Sequence, residues 1–175
     1  GGNPEKGWDE TRFKDFNGYD TGLRDATFVP FAEFVKARSS RFELIEANQL
    51  STREKLILDA ATQSAWGTLS PAAEVALGVI DEEQRYRSTR RTLRVGISDR
   101  ADGWTDGQTF IAINRAFLKK LSTDARGFTD LAALLLHEYC HREDASETHT
   151  HTPEFFQAYH DASVRSLGWF AQAAL

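Results

Sequence analysis

The sequence predicts an α+β fold, because helix-type and strand-type hydrophobic periods occupy separate stretches of the chain. Helical spacing of apolar residues runs through 51–66, 70–87, 131–144 and 152–169. Between these stretches, "TLRVGIS" (92–98) and "QTFIAIN" (108–114) alternate apolar and polar residues, which is typical of strands. The chain has 175 residues, 41% of them hydrophobic, which is enough for one compact domain with a core.

The N-terminal part of the chain divides into an arm and the start of a domain. Residues 1–25 mix Gly, Asp, Lys and scattered aromatic residues without a sustained period, so we expect an irregular arm. Residues 26–175 are expected to form one domain, beginning with a short helix over 29–38 that is entered at Pro30. The chain contains no methionine and opens with "GGNPEKG", from which we expect a piece of a longer protein.

Capping residues predict where the next two helices begin. Ser51 is a suitable N-cap for the helix over 51–66. Ser70 stands before Pro71, and this pair predicts a separate helix over 70–87 with the proline at its first position.

The two strand segments are joined by "DRADGWTDG", which contains Asp-Gly twice. This predicts a long turn and an antiparallel pair of strands. The second strand, "TFIAIN", is either an edge strand open to an extended peptide or an ordinary central strand. Asn114 and Arg115 end it and are expected near a cleft.

Two more helices complete the predicted domain. "LAALLLHEYCHRED" forms the first of them, which begins after Gly127 with Thr129 as its expected N-cap. The last helix begins at "TPEFF", with Thr152 as N-cap and Pro153 at the first helical position.

Composition narrows the classes of partner and location. The net charge of -5 does not favour nucleic acid or an anionic membrane, so we expect protein or peptide partners. Cys140 is the only cysteine, so no internal disulfide can form, and a cytoplasmic location is expected. No apolar run approaches the roughly 18 residues of a membrane helix, so no membrane association is expected.

An arginine-rich run, "RYRSTRRTLR" (85–94), stands out in this acidic chain. Such a run with Tyr86 inside it is one pattern of nucleic-acid binding. We instead expect a solvated helix end, whose arginines pair with Asp81, Glu82 and Glu83.

"HEYCH", residues 137–141, fits the pattern H-E-x-x-H. Positions i and i+4 of a helix lie about 40° apart around its axis, so both imidazoles can reach one zinc ion at about 2.1 Å. Glu138 lies beside them, where a carboxylate can take a proton from a metal-bound water. The pattern predicts His137 and His141 as metal ligands and Glu138 as catalytic base. The alternative is an amphipathic helix with two half-buried histidines.

A third ligand is expected from "THTHTPEFF", which offers His149 and His151. Seven or nine residues separate them from His141, so spacing alone does not choose between the two. Position favours His151, because the cap formed by Thr152 and Pro153 would hold its backbone in place. If both histidines bound the metal, the zinc site would be closed.

"HEYCH" followed by "HTPEF" resembles the small HExxH…H zinc metallopeptidases of the SprT-like, WLM and YgjP-like group. The resemblance implies Zn²⁺ on His137, His141 and His151, with Glu138 as base and Phe155 as a packing aromatic residue. It implies a zincin-like fold of the minimal gluzincin type, with N-terminal helices, a small antiparallel sheet, an active-site helix and a C-terminal helix. The chain departs from SprT-like proteins because no cysteine-rich zinc ribbon follows.

A wider stretch, residues 92–165, is similar to a metal-binding segment of bacterial proteins that carry an ATPase domain of the heat-shock chaperone or histidine-kinase type. The resemblance implies that an ATPase domain of the same longer polypeptide is a partner of this domain. It leaves the first half of the chain without family support.

Together these features predict a zinc metallopeptidase that hydrolyses peptide bonds in a protein or peptide substrate. Two alternatives stay open: a zincin-shaped module that binds a protein without cutting it, and a nucleic-acid-linked protease or regulator that uses the arginine run. Glu138 favours the peptidase, because a purely structural zinc site has no need of a base.

Overall fold

A computed structural model of the chain describes residues 42–142 and 151–174. These ranges contain five helices and a mixed four-stranded sheet, so the predicted α+β class is confirmed. The predicted arm (1–25), the helix over 29–38 and His149 lie outside the described residues. The boundary between arm and domain therefore stays a prediction.

The elements follow one another in a simple order along the described chain. The strands are β1 Phe42–Leu44, β2 Thr92–Ser98, β3 Gly103–Thr105 and β4 Phe110–Asn114. The helices are α1 Thr52–Ser64, α2 Ser70–Ala76, α3 Arg115–Lys120, α4 Ala125–Cys140 and α5 Pro153–Ala174. Short 3-10 helices cover Ala47–Gln49 and Glu82–Arg87. Across 42–142 and 151–174, no helix has the length and apolar character needed to cross a membrane.

The sheet has the strand order β1-β2-β4-β3 and is mixed rather than antiparallel. β2 and β4 run parallel, with Thr92 opposite Phe110 and Gly96 opposite Asn114, so the predicted antiparallel pairing of these two segments is wrong. The connecting segment contains β3, which pairs antiparallel with β4 and thereby reverses the chain before β4 begins. β4 lies between two strands, so "TFIAIN" is a central strand and β3 occupies the edge of the described sheet.

The turn between β3 and β4 is organised by one carboxylate. Asp106 Oδ1 accepts hydrogen bonds from the backbone amides of Gln108 at 3.0 Å, Thr109 at 2.8 Å and Phe110 at 3.1 Å. Gly107 has a φ of 78°, the left-handed conformation that glycine adopts without strain. Partial burial raises the pKa of Asp106, but the hydrogen bonds from Thr109, Gln108 and Phe110 outweigh it and lower the pKa to about 2.

The predicted helix over 51–66 is confirmed, and its start is a capping box. Ser51 Oγ accepts from the Glu54 amide at 3.2 Å, and the Glu54 carboxylate accepts from the Ser51 amide at 2.8 Å. A helix begins at Ser70 as predicted, with Pro71 in its first turn, but the prediction that Ser70 caps it is wrong. The chain stays helical through a π-helical stretch, Ala65–Leu69, and α2 ends at Ala76 rather than at 87.

Pro71 is tolerated inside this continuous helical segment by the turn that precedes it. A proline has no amide hydrogen for a regular helix, and the wider π-helical turn comes directly before it. Ser70 is fully buried and donates from Oγ to the Thr89 carbonyl at 2.7 Å. Its side chain therefore joins α2 to the segment before β2 instead of capping a helix.

The C-terminus of α4 and the N-terminus of α5 lie at the predicted site. α4 begins four residues before Thr129, because Asp124 is the N-cap and accepts from the Gly127 amide at 3.0 Å. The predicted start of the last helix is confirmed, since Thr152 Oγ1 accepts from the Phe155 amide at 3.2 Å. α4 ends at Cys140, and the predicted helical residues 143–144 lie outside the described residues.

The arginine run does not form one solvated helix end. Arg91 is buried, while three other guanidinium groups each lie over an aromatic ring: Arg85 over Trp169, Arg87 over Tyr86 and Arg90 over Trp66. The expected pairing is wrong at Glu82, whose carboxylate lies 2.6 Å from Arg165 Nη1 on α5.

We expect Asp106→Asn to destabilise the protein by about 1 kcal/mol at pH 7, because the charge-assisted hydrogen bonds of the turn become weaker. The folded pKa of about 2 lies below the unfolded value of about 3.9, so this stabilisation is present above about pH 4 and is lost as the pH falls towards 2. Urea unfolding at pH 7 and pH 3 measures the difference. A difference that does not shrink at pH 3 would contradict the assignment, and Asp99→Asn in the exposed neighbouring loop is the control.

Candidate metal centre

Three imidazoles converge where α4 ends and α5 begins. His141 Nε2 lies 3.3 Å from His137 Nε2 and 3.3 Å from His151 Nε2. The donor nitrogens of all three lie within 4.8 Å of one another. Ligands placed tetrahedrally at about 2.05 Å from zinc are about 3.3 Å apart, so the two separations from His141 match edges of a zinc tetrahedron. The third pair, His137 and His151, lies within 4.8 Å and would have to be within about 4.1 Å to share one zinc ion.

His137 and His141 reach this point from different backbone conformations. His137 belongs to the last turn of α4, whereas His141 is the C-cap, with φ -77° and ψ 128°. The His141 amide still donates to the Glu138 carbonyl at 3.2 Å, which holds the residue against the helix end. The second histidine of the motif is therefore supplied by a helix terminus and not by a continuing helix.

His151 and Phe155 complete the cluster from the start of α5. His151 directly precedes the N-cap Thr152, as the sequence predicted. The buried ring of Phe155 lies 4.9 Å from the His137 ring, 4.6 Å from His141 and 4.5 Å from His151, measured between centroids. Aromatic packing alone would explain the ring contacts, but it does not require the three Nε2 atoms to converge. The convergence of these nitrogen atoms provides a set of donors that could hold a cation.

Glu138 is the carboxylate beside this cluster. It is buried, and its Oε2 has no hydrogen-bond partner within the described part of the chain. Burial raises the pKa of Glu138 to about 8, although the Arg91 guanidinium acts in the opposite direction. A carboxyl group that titrates near neutral pH suits a general base or acid better than an ordinary exposed glutamate does.

An open groove of about 440 Å³ runs beside the histidines. One wall is the loop that leads into β3, and the other is the exposed side of α4 with part of α5. The lining residues are Arg100, Ala101, Asp102, Gly103, Ala133, Leu134, His137, Glu138, His151 and Tyr159. Glu138 and two of the three histidines thus face a space that is open to solvent.

Asn114 lies beneath one wall of the groove. Its buried side chain donates from Nδ2 to the carbonyls of Ser98 at 2.8 Å and Ala101 at 2.7 Å, which holds the loop before β3. Arg115 is directed elsewhere, since its Nε lies 2.6 Å from the Glu54 carboxylate. Of the two residues expected near the cleft, Asn114 holds the loop before β3, which forms one wall of the groove, and Arg115 does not line the groove.

Three other side chains near the motif have separate roles. Cys140 is buried in the core, and burial raises the pKa of its thiol to about 12, so the thiol stays protonated near neutral pH. Tyr159 lines the groove, with its ring centroid 5.7 Å from that of His137. His160 lines a different depression with Val75 and Val164.

Arg91 lies near the site, and the interpretation of the arginine run as a solvated helix end does not predict this position. Its Nη1 donates to the Glu138 carbonyl at 3.0 Å, and only 5% of its surface is exposed. A signal for this burial exists in the sequence, because Arg91 alternates in phase with Leu93 and Val95, the buried positions of β2. Arg94 is out of phase with them and is partly exposed.

No family model matches this chain, and no curated protein or solved structure gives a significant match to it. The chemical interpretation of the centre therefore depends on the residues and distances described above.

His151→Ala should abolish zinc binding, because removal of one of three imidazoles leaves too few ligands for a stable site. Elemental analysis of protein purified without chelators should find about one zinc per chain in the wild type and almost none in the variant. His160→Ala, an exposed histidine two turns further along α5, should keep its zinc. Wild-type protein without zinc, or a His151→Ala variant that keeps it, would contradict the three-histidine site.

Proposed function

We propose that this chain is a zinc metallopeptidase with a zincin-like fold, which hydrolyses peptide bonds in a protein or peptide substrate. The proposal is carried by one juxtaposition: the Nε2 atoms of three imidazoles converge near a buried carboxylate, one oxygen of which has no hydrogen-bond partner among the described residues. This carboxylate and two of the imidazoles line an open groove. His137, His141 and His151 are the proposed ligands, and Glu138 is the proposed catalytic residue.

The donor set fits zinc. Imidazole nitrogens suit zinc as well as other late first-row metals, and the HExxH spacing with a third histidine is a zinc pattern in helices. Catalytic zinc sites have three protein ligands and an open position, whereas structural sites close all four positions with protein. Zinc held there would supply Lewis acidity, which polarises a carbonyl group and makes a water molecule more acidic.

Glu138 is suited to the proton transfers of peptide hydrolysis. In the proposed reaction it takes a proton from the attacking water and passes it to the leaving amine, so it must change its protonation state within each cycle. Burial raises the pKa of this carboxyl group to about 8, and a Zn²⁺ ion on the neighbouring histidines would act in the opposite direction, towards the ionised form that a base requires. In a zinc site with only a structural role, Glu138 Oε2, which is buried and has no hydrogen-bond partner among the described residues, would have no function.

The shape of the groove supports an extended substrate. β3 lies at the edge of the described sheet, and its first residue, Gly103, lines the groove opposite α4. Ala133 and Leu134 make the facing wall apolar near the histidines, so a peptide segment fits it better than a polyanion does.

The alternatives receive less support from the described residues. A binding module without catalysis has no use for Glu138, and the scattered contacts of the arginine run disfavour a nucleic-acid surface. The ATPase partner domain and the cytoplasmic location remain predictions from the sequence.

Glu138→Gln tests the base. Glutamine keeps the shape of the side chain but cannot accept the proton, so turnover should fall by about 10²–10⁴-fold while zinc content stays the same. Release of fluorescent peptides from labelled, unfolded casein measures turnover, and elemental analysis measures zinc. Asp130→Asn on the exposed side of α4 is the matched control and should behave like the wild type. Undiminished cleavage by the glutamine variant would refute the proposed role.

Ala133→Trp tests the groove. Ala133 is exposed on α4 and lines the groove, so an indole there should obstruct substrate and lower kcat/KM by roughly 10-fold without loss of zinc. The same casein assay and zinc analysis are used. Ala60→Trp, at an exposed position of α1, controls for the added aromatic surface. Equal kcat/KM in the two tryptophan variants would place the substrate elsewhere.

A further inference from the structure

We infer that Arg91 is a positioning residue of the proposed peptidase site, which fixes the turn where α4 ends and so sets the placement of Glu138 and His141. The inference rests on the proposed function, since it assigns Arg91 a part in the same site.

The burial of Arg91 needs an explanation, because it is unfavourable in itself. A guanidinium group is charged in proteins, and its removal from water costs several kcal/mol. Only 5% of this residue is exposed, and its Nε has no hydrogen-bond partner among the described residues. Replacement of buried charges by apolar side chains of similar size is often neutral or stabilising. Stability alone therefore does not account for an arginine here.

The contact that Arg91 makes is with the working end of α4. The last four carbonyls of a helix lack partners within the helix, and cations are favoured near a helix C-terminus. Arg91 Nη1 donates to the Glu138 carbonyl at 3.0 Å, and the His141 amide donates to the same oxygen at 3.2 Å. One carbonyl oxygen thus connects the proposed base, a proposed ligand and the buried cation.

Arg91 itself is held from several sides. It stands in phase with the buried strand residues Leu93 and Val95, so its side chain enters the space between the sheet and α4. The guanidinium carbon lies 5.5 Å from the centroid of the Tyr139 ring. Nη1 also lies 3.5 Å from Thr105 Oγ1 on β3. The guanidinium therefore links the edge strand to the end of α4, the two elements that form opposite walls of the groove.

Cobalt(II) in place of zinc gives a readout that does not depend on activity, because its visible absorption responds to the arrangement of the ligands. Arg91→Met removes both charge and donor while it fills the space, and Arg91→Lys keeps the charge but not the fork of donors. Arg90→Met is the matched control, since Arg90 is exposed and lies over Trp66. Circular dichroism and thermal unfolding establish that each variant is folded.

We expect the cobalt spectrum of folded Arg91→Met to differ in band position and intensity from the wild type, Arg91→Lys to show a smaller difference, and Arg90→Met to show none. With zinc, Arg91→Met should lower kcat by about 10-fold or more and change KM by less than about twofold, as expected for loss of a group that orients a site.

A folded Arg91→Met variant with the wild-type spectrum would overturn the inference. If Arg91→Met does not fold, Arg91→Lys is used instead. An unchanged cobalt spectrum of folded Arg91→Lys would likewise overturn the inference. Wild-type protein that binds no cobalt would instead overturn the proposed function, and this inference with it. Normal cobalt binding with identical spectra in all variants would leave the proposed function intact.

Discussion

The packing of α4 in the core, against the sheet and the neighbouring helices, is the constraint on which the proposed site depends. Leu131 and Leu135 on one side of this helix are buried in the core cluster that also includes residues of β2 and β4. That face determines the rotation of the helix, which leaves Ala133 and His137 towards the groove. Each buried leucine contributes about 1.5–3 kcal/mol of hydrophobic stabilisation. The core therefore holds the motif in one orientation before any metal binds.

The centre lies between two helix ends with opposite electrostatic effects. The C-terminus of α4 carries partial negative charge, which favours a cation, whereas the N-terminus of α5 carries partial positive charge, which does not. Such effects amount to about 0.3–1 kcal/mol at exposed sites, far less than the roughly 10–16 kcal/mol of a zinc site. Phe155 fills the space between the two ends and contacts all three imidazoles. Packing at this junction thus determines the positions of the ligands.

Features that depend on neighbouring residues could be predicted from the sequence, and those that depend on distant contacts could not. The caps at Ser51 and Thr152 and the approach of His137 to His141 follow from local spacing, and the structure has them. The parallel pairing of β2 with β4 depends on the short strand β3, which is too brief to recognise by alternation. Ser70 followed by Pro71 resembles an N-cap with a proline in the first turn, but in the structure Ser70 is buried within a continuous helical segment. The charge of residues 85–94 predicts a solvated surface for Arg91, whereas its phase with the buried residue Leu93 indicates the interior.

The coordination of the bound metal decides whether His137, His141 and His151 form an open zinc site. X-ray absorption spectroscopy of the zinc-loaded protein should find three imidazole groups, which are counted by their outer-shell scattering, and one further nitrogen or oxygen ligand that is not an imidazole, all at about 2.0–2.1 Å. This result would match the convergence of His137, His141 and His151 and would leave a position for chemistry. A fourth imidazole or a sulfur ligand would mean a closed structural site. Fewer than three imidazoles would mean that the three histidines do not bind the metal together. Either result would contradict the proposed open zinc site.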